Sequence, residues 1–181
     1  MAMVFDGIDN ALSEWIGHQP MFFVATAPSG DDGHINCSPK GLPGSFAVLD
    51  EKTVAYLDLT GSGAETIAHV RDNGRIVIMF CAFDKRPRIV RLHGRAKVVA
   101  PGDPLFAELL PRFGEYRGVR SIIVVDVTRV SDSCGYGVPR MSFEEDRPNL
   151  PLDHDKRGDQ GLAEYRRENN STSIDGLPAL G

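Results

Sequence analysis

Residues Tyr56-Leu-Asp-Leu-Thr-Gly-Ser-Gly-Ala-Glu-Thr-Ile-Ala-His-Val-Arg-Asp-Asn73 run from a strand through a tight polar turn into a helix, and their reading decides the fold. Thr53 to Leu59 is β-branched and apolar enough to form a strand, and Thr60-Gly61-Ser62-Gly63 ends it with residues that tolerate unusual backbone angles. The period then becomes helical. Ala64, Ile67, Ala68 and Arg71 share a face, Ser62 and Glu65 match the S-x-x-E capping box, and Asn73-Gly74 supplies the stop. Such a turn offers helix N-terminal N–H groups, little steric bulk and the hydroxyls of Thr60 and Ser62, a cradle suited to a phosphate or another anion.

Outward from this stretch the chain reads as strands joined by short turns. Met21 to Ala27 and His34 to Pro39 form a hairpin across Ser29-Gly-Asp-Asp-Gly33, and Phe46 to Leu49 turns back into Thr53 through Asp50-Glu-Lys52. In the second of these strands His34, Asn36, Ser38 and Lys40 alternate with Ile35 and Cys37, giving one polar and one apolar face. Arg75 to Phe83 is a nearly unbroken apolar run suited to a central strand, and Arg88 to Val99 and Val119 to Val130 are further strands. Ile8, Leu12, Trp15 and Ile16 predict an N-terminal helix ended by Gln19-Pro20, and Asp103-Pro104 opens a short helix through Leu110. From Ser131 onward Pro, Gly, Asp and Asn dominate, with one weak helical patch near Leu162 and Tyr165; this reads as an irregular arm able to lie over a neighbouring subunit. The sum is a mainly β (α+β) chain, an antiparallel barrel with a few short helices over residues 1–130 and an arm of the same domain over 131–181.

Composition narrows the function. At 181 residues and 41% hydrophobic the chain buries a core, and no run approaches the roughly 18 apolar residues that span a bilayer. No basic segment followed by an apolar one opens the sequence, so a cytoplasmic protein without a membrane partner is expected. Cys37, Cys81 and Cys134 include no C-x-x-C pair, which argues for buried reduced thiols over a disulfide framework or a zinc site. The net charge of -5 speaks against nucleic acid, yet Lys85, Arg86, Arg88, Arg91, Arg95 and Lys97 crowd one segment and suit a small anion. Arg91, His93, Arg95 and Lys97 share one strand face, to be met by water, a partner chain or an anion. Gly61-Ser-Gly63 is not a dinucleotide fingerprint, because Thr66 stands where the third glycine belongs, and no Walker lysine follows. Neither H-E-x-x-H nor G-x-S-x-G is present, so catalysis would rest on a bound cofactor.

Four segments in order, Phe22-Phe-Val-Ala-Thr26, Gly33-His-Ile-Asn-Cys-Ser-Pro-Lys-Gly41, Thr60-Gly-Ser-Gly-Ala-Glu-Thr66 and Arg88-Ile-Val-Arg-Leu-His-Gly-Arg95, resemble the pyridoxamine 5′-phosphate oxidase-like family of flavin-binding split β-barrels. The resemblance covers about three-fifths of the chain, from Gln19 to Val130, and Ser133-Cys-Gly-Tyr-Gly-Val-Pro139 with Ser173-Ile-Asp-Gly-Leu-Pro178 is similar to a bacterial subgroup of that family. It implies a homodimer holding FMN at its interface, acting on a small-molecule substrate as an oxidoreductase. The implied cofactor-binding residues are Asn36, Ser38 and Lys40 on the strand passing the flavin, Thr60, Ser62, Gly63, Ala64 and Thr66 at the phosphate turn, and Arg88 and Arg91 as added charge. Where the family's best-known enzymes carry an Arg-Lys pair, this chain has Ser62-Gly63. The alternatives that follow are the deazaflavin F420 in place of FMN, or a non-catalytic protein that binds flavin or haem.

Overall fold

The computed structural model describes residues 3–180. Its strands are β1 (Met3–Phe5), β2 (Met21–Thr26), β3 (Asn36–Gly41), β4 (Phe46–Asp50), β5 (Thr53–Leu59), β6 (Arg75–Cys81), β7 (Ile89–Val99) and β8 (Val119–Ser133). The helices are α1 (Asn10–Gly17), α2 (Glu65–Asp72), α3 (Pro104–Leu109) and α4 (Asn149–Asn169). All strand pairs are antiparallel, in the order β3-β2-β6-β7-β8-β5-β4 with β1 added on β8. This is the antiparallel sheet expected from the sequence, curled into a half-barrel, with β3 and β4 as its two edges.

The strand faces follow from register. Val90 and Leu92 of β7 point into the main core with Val24, Ile78, Phe80, Tyr56 and Val125, while Arg95 and Lys97 on the opposite face are exposed. Phe22, Phe46, Tyr56 and Phe80 form an aromatic cluster in this core with ring centroids 5.1 to 5.6 Å apart, edge-to-face except for the tilted Phe22–Phe80 pair. A second cluster, including Ala55, Leu57, Ile122, Val124 and Leu109, covers the other side of β5 and β8. Helix α1 is capped by Asp9, whose carboxylate accepts from the Leu12 amide, and buries Leu12 and Ile16. Asp103 caps α3 in the same way, with Pro104 at its first position.

Three expectations are corrected. The residues after Ser131 are irregular only in part, as over 134–148: β8 continues to Ser133, and the helical patch near Leu162 and Tyr165 belongs to a helix over Asn149–Asn169, broken at Gly158, where φ is 62° and ψ is -177°. The arm closes on its own barrel. Leu162 and Ala179 are each 1% exposed, and Arg71 donates to the Ala179 carbonyl. Second, Ser62 does not cap α2: the helix begins at Glu65 after Ala64, without a side-chain cap bond, and Glu65 accepts from the Ile174 amide instead. Third, Cys37 and Cys134 are exposed and only Cys81 is buried. On the edge strand β3, Lys40 pairs with Phe22 and Ser38 with Val24, so the polar residues face the barrel interior and Cys37 faces out.

Gly118, just before β8, fits under α4 so closely that an added Cβ would lie 2.0 Å from His154 Nδ1. Gly118→Ala is therefore expected to lift the first half of α4 while the sheet stays intact. Hydrogen exchange should show faster amides over residues 149–157; unchanged protection there would contradict this packing.

Candidate functional site

At one end of the barrel interior the polar residues of β3, the end of β5 and the turn before α2 converge. Asn36 Nδ2 donates to Thr66 Oγ1 at 3.1 Å and to Thr26 Oγ1 at 3.3 Å, and Ser38 Oγ donates to Asn36 Oδ1 at 2.9 Å. Thr26 Oγ1 in turn lies 3.0 Å from His69 Nδ1. These bonds tie β2 and β3 to α2 and satisfy groups that burial would otherwise leave unpaired. The Tyr56 hydroxyl and His69 Nε2 nearby have no hydrogen-bond partner among the described residues.

Asp58 is the charge at the centre of this end. It is fully buried, and Arg120 meets it with Nε at 2.7 Å from Oδ2 and Nη2 at 3.3 Å from Oδ1. Lys40 Nζ lies 3.6 Å from Oδ1, and Ser121 Oγ donates to Oδ2 at 3.3 Å. Burial alone would raise the Asp58 pKa; the Arg120 and Lys40 charges and the bonds from Arg120 and Ser121 outweigh it and hold the carboxyl below its usual range. Local backbone explains the meeting. Asp58 pairs with Ser121 and Leu59 with Val119, which leaves Arg120 as the extra residue of a β-bulge, and the bulge turns its side chain inward beside Asp58.

The turn itself is pinned by its carbonyls. Thr60 O accepts from His154 Nε2 at 2.8 Å, Gly61 O from Asn170 Nδ2 at 2.9 Å, and Gly63 O from Arg120 Nη2 at 2.7 Å. Arg120 Nη1 also donates to Asn170 Oδ1 at 2.8 Å, joining the barrel end to the arm. Among the described residues no acceptor pairs with the N–H groups of Gly61, Ser62, Gly63 or Ala64. With their carbonyls held by the arm and by Arg120, these amides are available to an anion, at the positive end of α2. Beside them opens a cleft of about 640 Å³ whose walls include Lys40, Leu57, Thr60, Gly61, Phe143 and Arg147.

The structure therefore brings Asn36, Ser38, Lys40, Thr60, Ser62, Gly63, Ala64 and Thr66 to one end of the barrel. It does not bring the two arginines there. Arg88 pairs with Asp132 at 3.0 Å and stacks over the Phe5 and Trp15 rings. Arg91 pairs in register with Met79 and, through it, with Phe23, on the sheet face opposite Lys40, Phe22 and Phe80; it donates to Ser133 Oγ at 3.1 Å. Asp58, Arg120, His154, Arg166 and Asn170 are the members of this end that the sequence reading passed over. For the first two a signal existed: an acidic residue within Tyr56-Leu-Asp-Leu59 and a basic one opening the apolar run of β8 are complementary charges on strands with buried faces.

The comparisons agree with this architecture. The family model for pyridoxamine 5′-phosphate oxidase matches residues 8–134. The chain belongs to the pyridoxamine 5′-phosphate oxidase family. It is 42% identical to the pyridoxamine 5′-phosphate oxidase family protein ustO of Aspergillus flavus, over 99% of this chain and 78% of the relative. Among solved structures it is similar to HupZ of group A Streptococcus, at 25% identity and a TM-score of 0.54 over 70% of this chain and 99% of that one. A protein of Bacteroides thetaiotaomicron shares the fold at 15% identity and a TM-score of 0.50, over 73% of this chain and 87% of the other. Among the described residues no helix is long and apolar enough to cross a membrane, and no cluster of His, Cys, Asp and Glu is arranged to hold a metal ion.

Two predictions test the barrel end. Arg120→Ala leaves Asp58 buried with only Lys40 for charge, and it should cost about 3–5 kcal/mol in chemical denaturation; a loss under about 1 kcal/mol would contradict the pairing. His69 is fully buried, and burial lowers its pKa against the opposing charges of Asp175, Glu65 and Asp72. The folded state then binds fewer protons than the unfolded one. The stability contributed by neutral His69 is complete above its unfolded value of 6.5 and lost as pH falls below that toward the lowered folded pKa. His93, lowered by burial and by Arg129 and Arg91, adds to the same slope. Melting temperature should fall between about pH 7.5 and 5.5, with a shallower fall in His69→Gln; equal slopes would contradict the assignment to His69.

Proposed function

We propose that this protein is an FMN-dependent oxidoreductase that holds the flavin phosphate on the turn Thr60–Ala64 and the ring system in the adjoining cleft. The observation that carries the reading is the polarity of the turn: its carbonyls at Thr60, Gly61 and Gly63 are engaged, and the amides of Gly61 to Ala64 have no partner among the described residues. The donor set suits a phosphate monoester, combining backbone N–H groups, the Ser62 hydroxyl and the Lys40 ammonium. The cleft of about 640 Å³ lies within the size range of cofactor sites. Family membership supports the same choice.

A bound flavin supplies the hydride and electron chemistry, and the chain's task is to bind, orient and shield it. Lys40 faces the interior half-buried and shares Asp58 with Arg120, so it offers partial positive charge without a fully unpaired cation. Leu57, Leu59 and Phe143 give the cleft its apolar walls and limit water. The opposite sheet face carries Phe23, Ala25, Val77 and Met79 beside Arg91 and His93, and His93 Nδ1 is buried without a partner among the described residues. This half-buried, largely apolar face suits a second copy of the chain, which makes the protein a homodimer in this reading.

Purified protein should be yellow and release FMN, identified by its absorption spectrum and mass. Colourless protein that also fails to bind added FMN would overturn the proposal, and release of F420 would move it to that cofactor. Met79→Asp should shift the oligomer toward monomer in light scattering; an unaltered dimer would place the interface elsewhere.

A further inference from the structure

Arg166 is the cation that α4 brings to the turn. Its Nε donates to Thr60 Oγ1 at 2.8 Å, on the residue whose carbonyl accepts from His154. Twelve residues separate His154 from Arg166, about 18 Å along an unbroken helix. The two side chains converge on one threonine because the helix breaks between them at Gly158. The kink therefore has a geometric result: it folds the second half of α4 back over the turn, carrying Arg166 and Asn170 with it.

No carboxylate among the described residues forms an ion pair with Arg166. Asp155 and Asp159 pair with Arg117, Asp153 pairs with Arg157, and Asp58 is shared by Arg120 and Lys40. Glu65, at the first turn of α2, accepts from the Ile174 amide. Burial opposes the charge on Arg166, and the neighbouring Arg120 opposes it further, with only Asp159 acting the other way. A half-buried guanidinium that stays charged beside a second guanidinium is an unfavourable arrangement that an anion would relieve. Arg166 reaches the turn at Thr60, which lines the cleft together with Gly61 and Lys40.

We infer that Arg166 is a ligand of the phosphate monoester held at the turn, and that α4 thereby supplies the charge that Ser62-Gly63 does not. The inference rests on the FMN reading and adds to it a binding residue on the C-terminal helix. It also changes which part of the chain sets cofactor choice, because a flavin without a phosphate gains nothing from Arg166.

The test compares dissociation constants of FMN and riboflavin, by quenching of flavin fluorescence at fixed low ionic strength, for the wild type, Arg166→Gln and Arg166→Lys. Arg166→Gln should weaken FMN about tenfold to a hundredfold and leave riboflavin within about twofold, as expected for losing a charged hydrogen bond to phosphate. Arg166→Lys should recover part of the loss, and its FMN-to-riboflavin ratio decides the matter if the glutamine variant melts below the assay temperature. Equal losses for both flavins, or no loss for either, overturn the assignment of Arg166 while wild-type FMN binding upholds the FMN reading. A wild type that binds neither flavin overturns the reading and the inference together.

Discussion

The buried pair of Asp58 and Arg120 is the constraint on which the rest of this barrel end depends. A carboxylate with no exposure is tolerable only with its lone pairs engaged, and here Arg120, Ser121 and Lys40 engage them. Arg120 uses its remaining donors on the Gly63 carbonyl and on Asn170, so one guanidinium links β8, β5, the turn and the arm. The β-bulge at Arg120 is the backbone adjustment that makes this possible. An apolar pair at the same positions would leave those carbonyl and amide groups without partners.

From that pair follows the polarity of the turn. A loop of Thr, Gly and Ser can present either its carbonyls or its N–H groups to a cleft, and nothing in its own sequence chooses between them. The choice is made by His154, Asn170 and Arg120, which draw the carbonyls to one side. The C-terminal helix and the residues after it thus hold the turn in place, with Leu162 buried and Ala179 packed into the main core. The polar interior face of β3 completes it, because the pairing of β3 with β2 sets Asn36, Ser38 and Lys40 inward.

Much of this was legible in the sequence, for identifiable reasons. Strand β5 runs from Thr53 to Leu59 as its apolar content and the glycines after it predict, and the hairpins and the caps at Asp103 and Asn73-Gly74 follow local rules. The clustering of β3 with the turn was also readable from alternation and family order. What was not legible depended on long-range contacts. The capping box matched a pattern, but Glu65 found the Ile174 amide, more than a hundred residues away, and Ser62 was left off the helix. Helix α4 shows in the sequence only as a weak patch near Leu162 and Tyr165, because Pro151, Gly158 and Gly161 interrupt its period and its buried residues are a histidine and a single leucine. The family resemblance groups Arg91 with Lys40 as added charge, whereas counting pairs across β3, β2, β6 and β7 sets them on opposite faces. Cys37 is exposed on the outward face of an edge strand, against the general burial of free thiols on which the expectation rests.

The central claim is that the turn amides, freed by the arm, receive a phosphate. Backbone amide NMR of the full chain, with FMN and with riboflavin added in turn, tests it most directly. The account predicts that FMN shifts the Ser62, Gly63 and Ala64 N–H resonances downfield and slows their exchange with solvent, while riboflavin leaves these three nearly unchanged and perturbs only residues lining the cleft. Bound FMN with no response from those amides would contradict it.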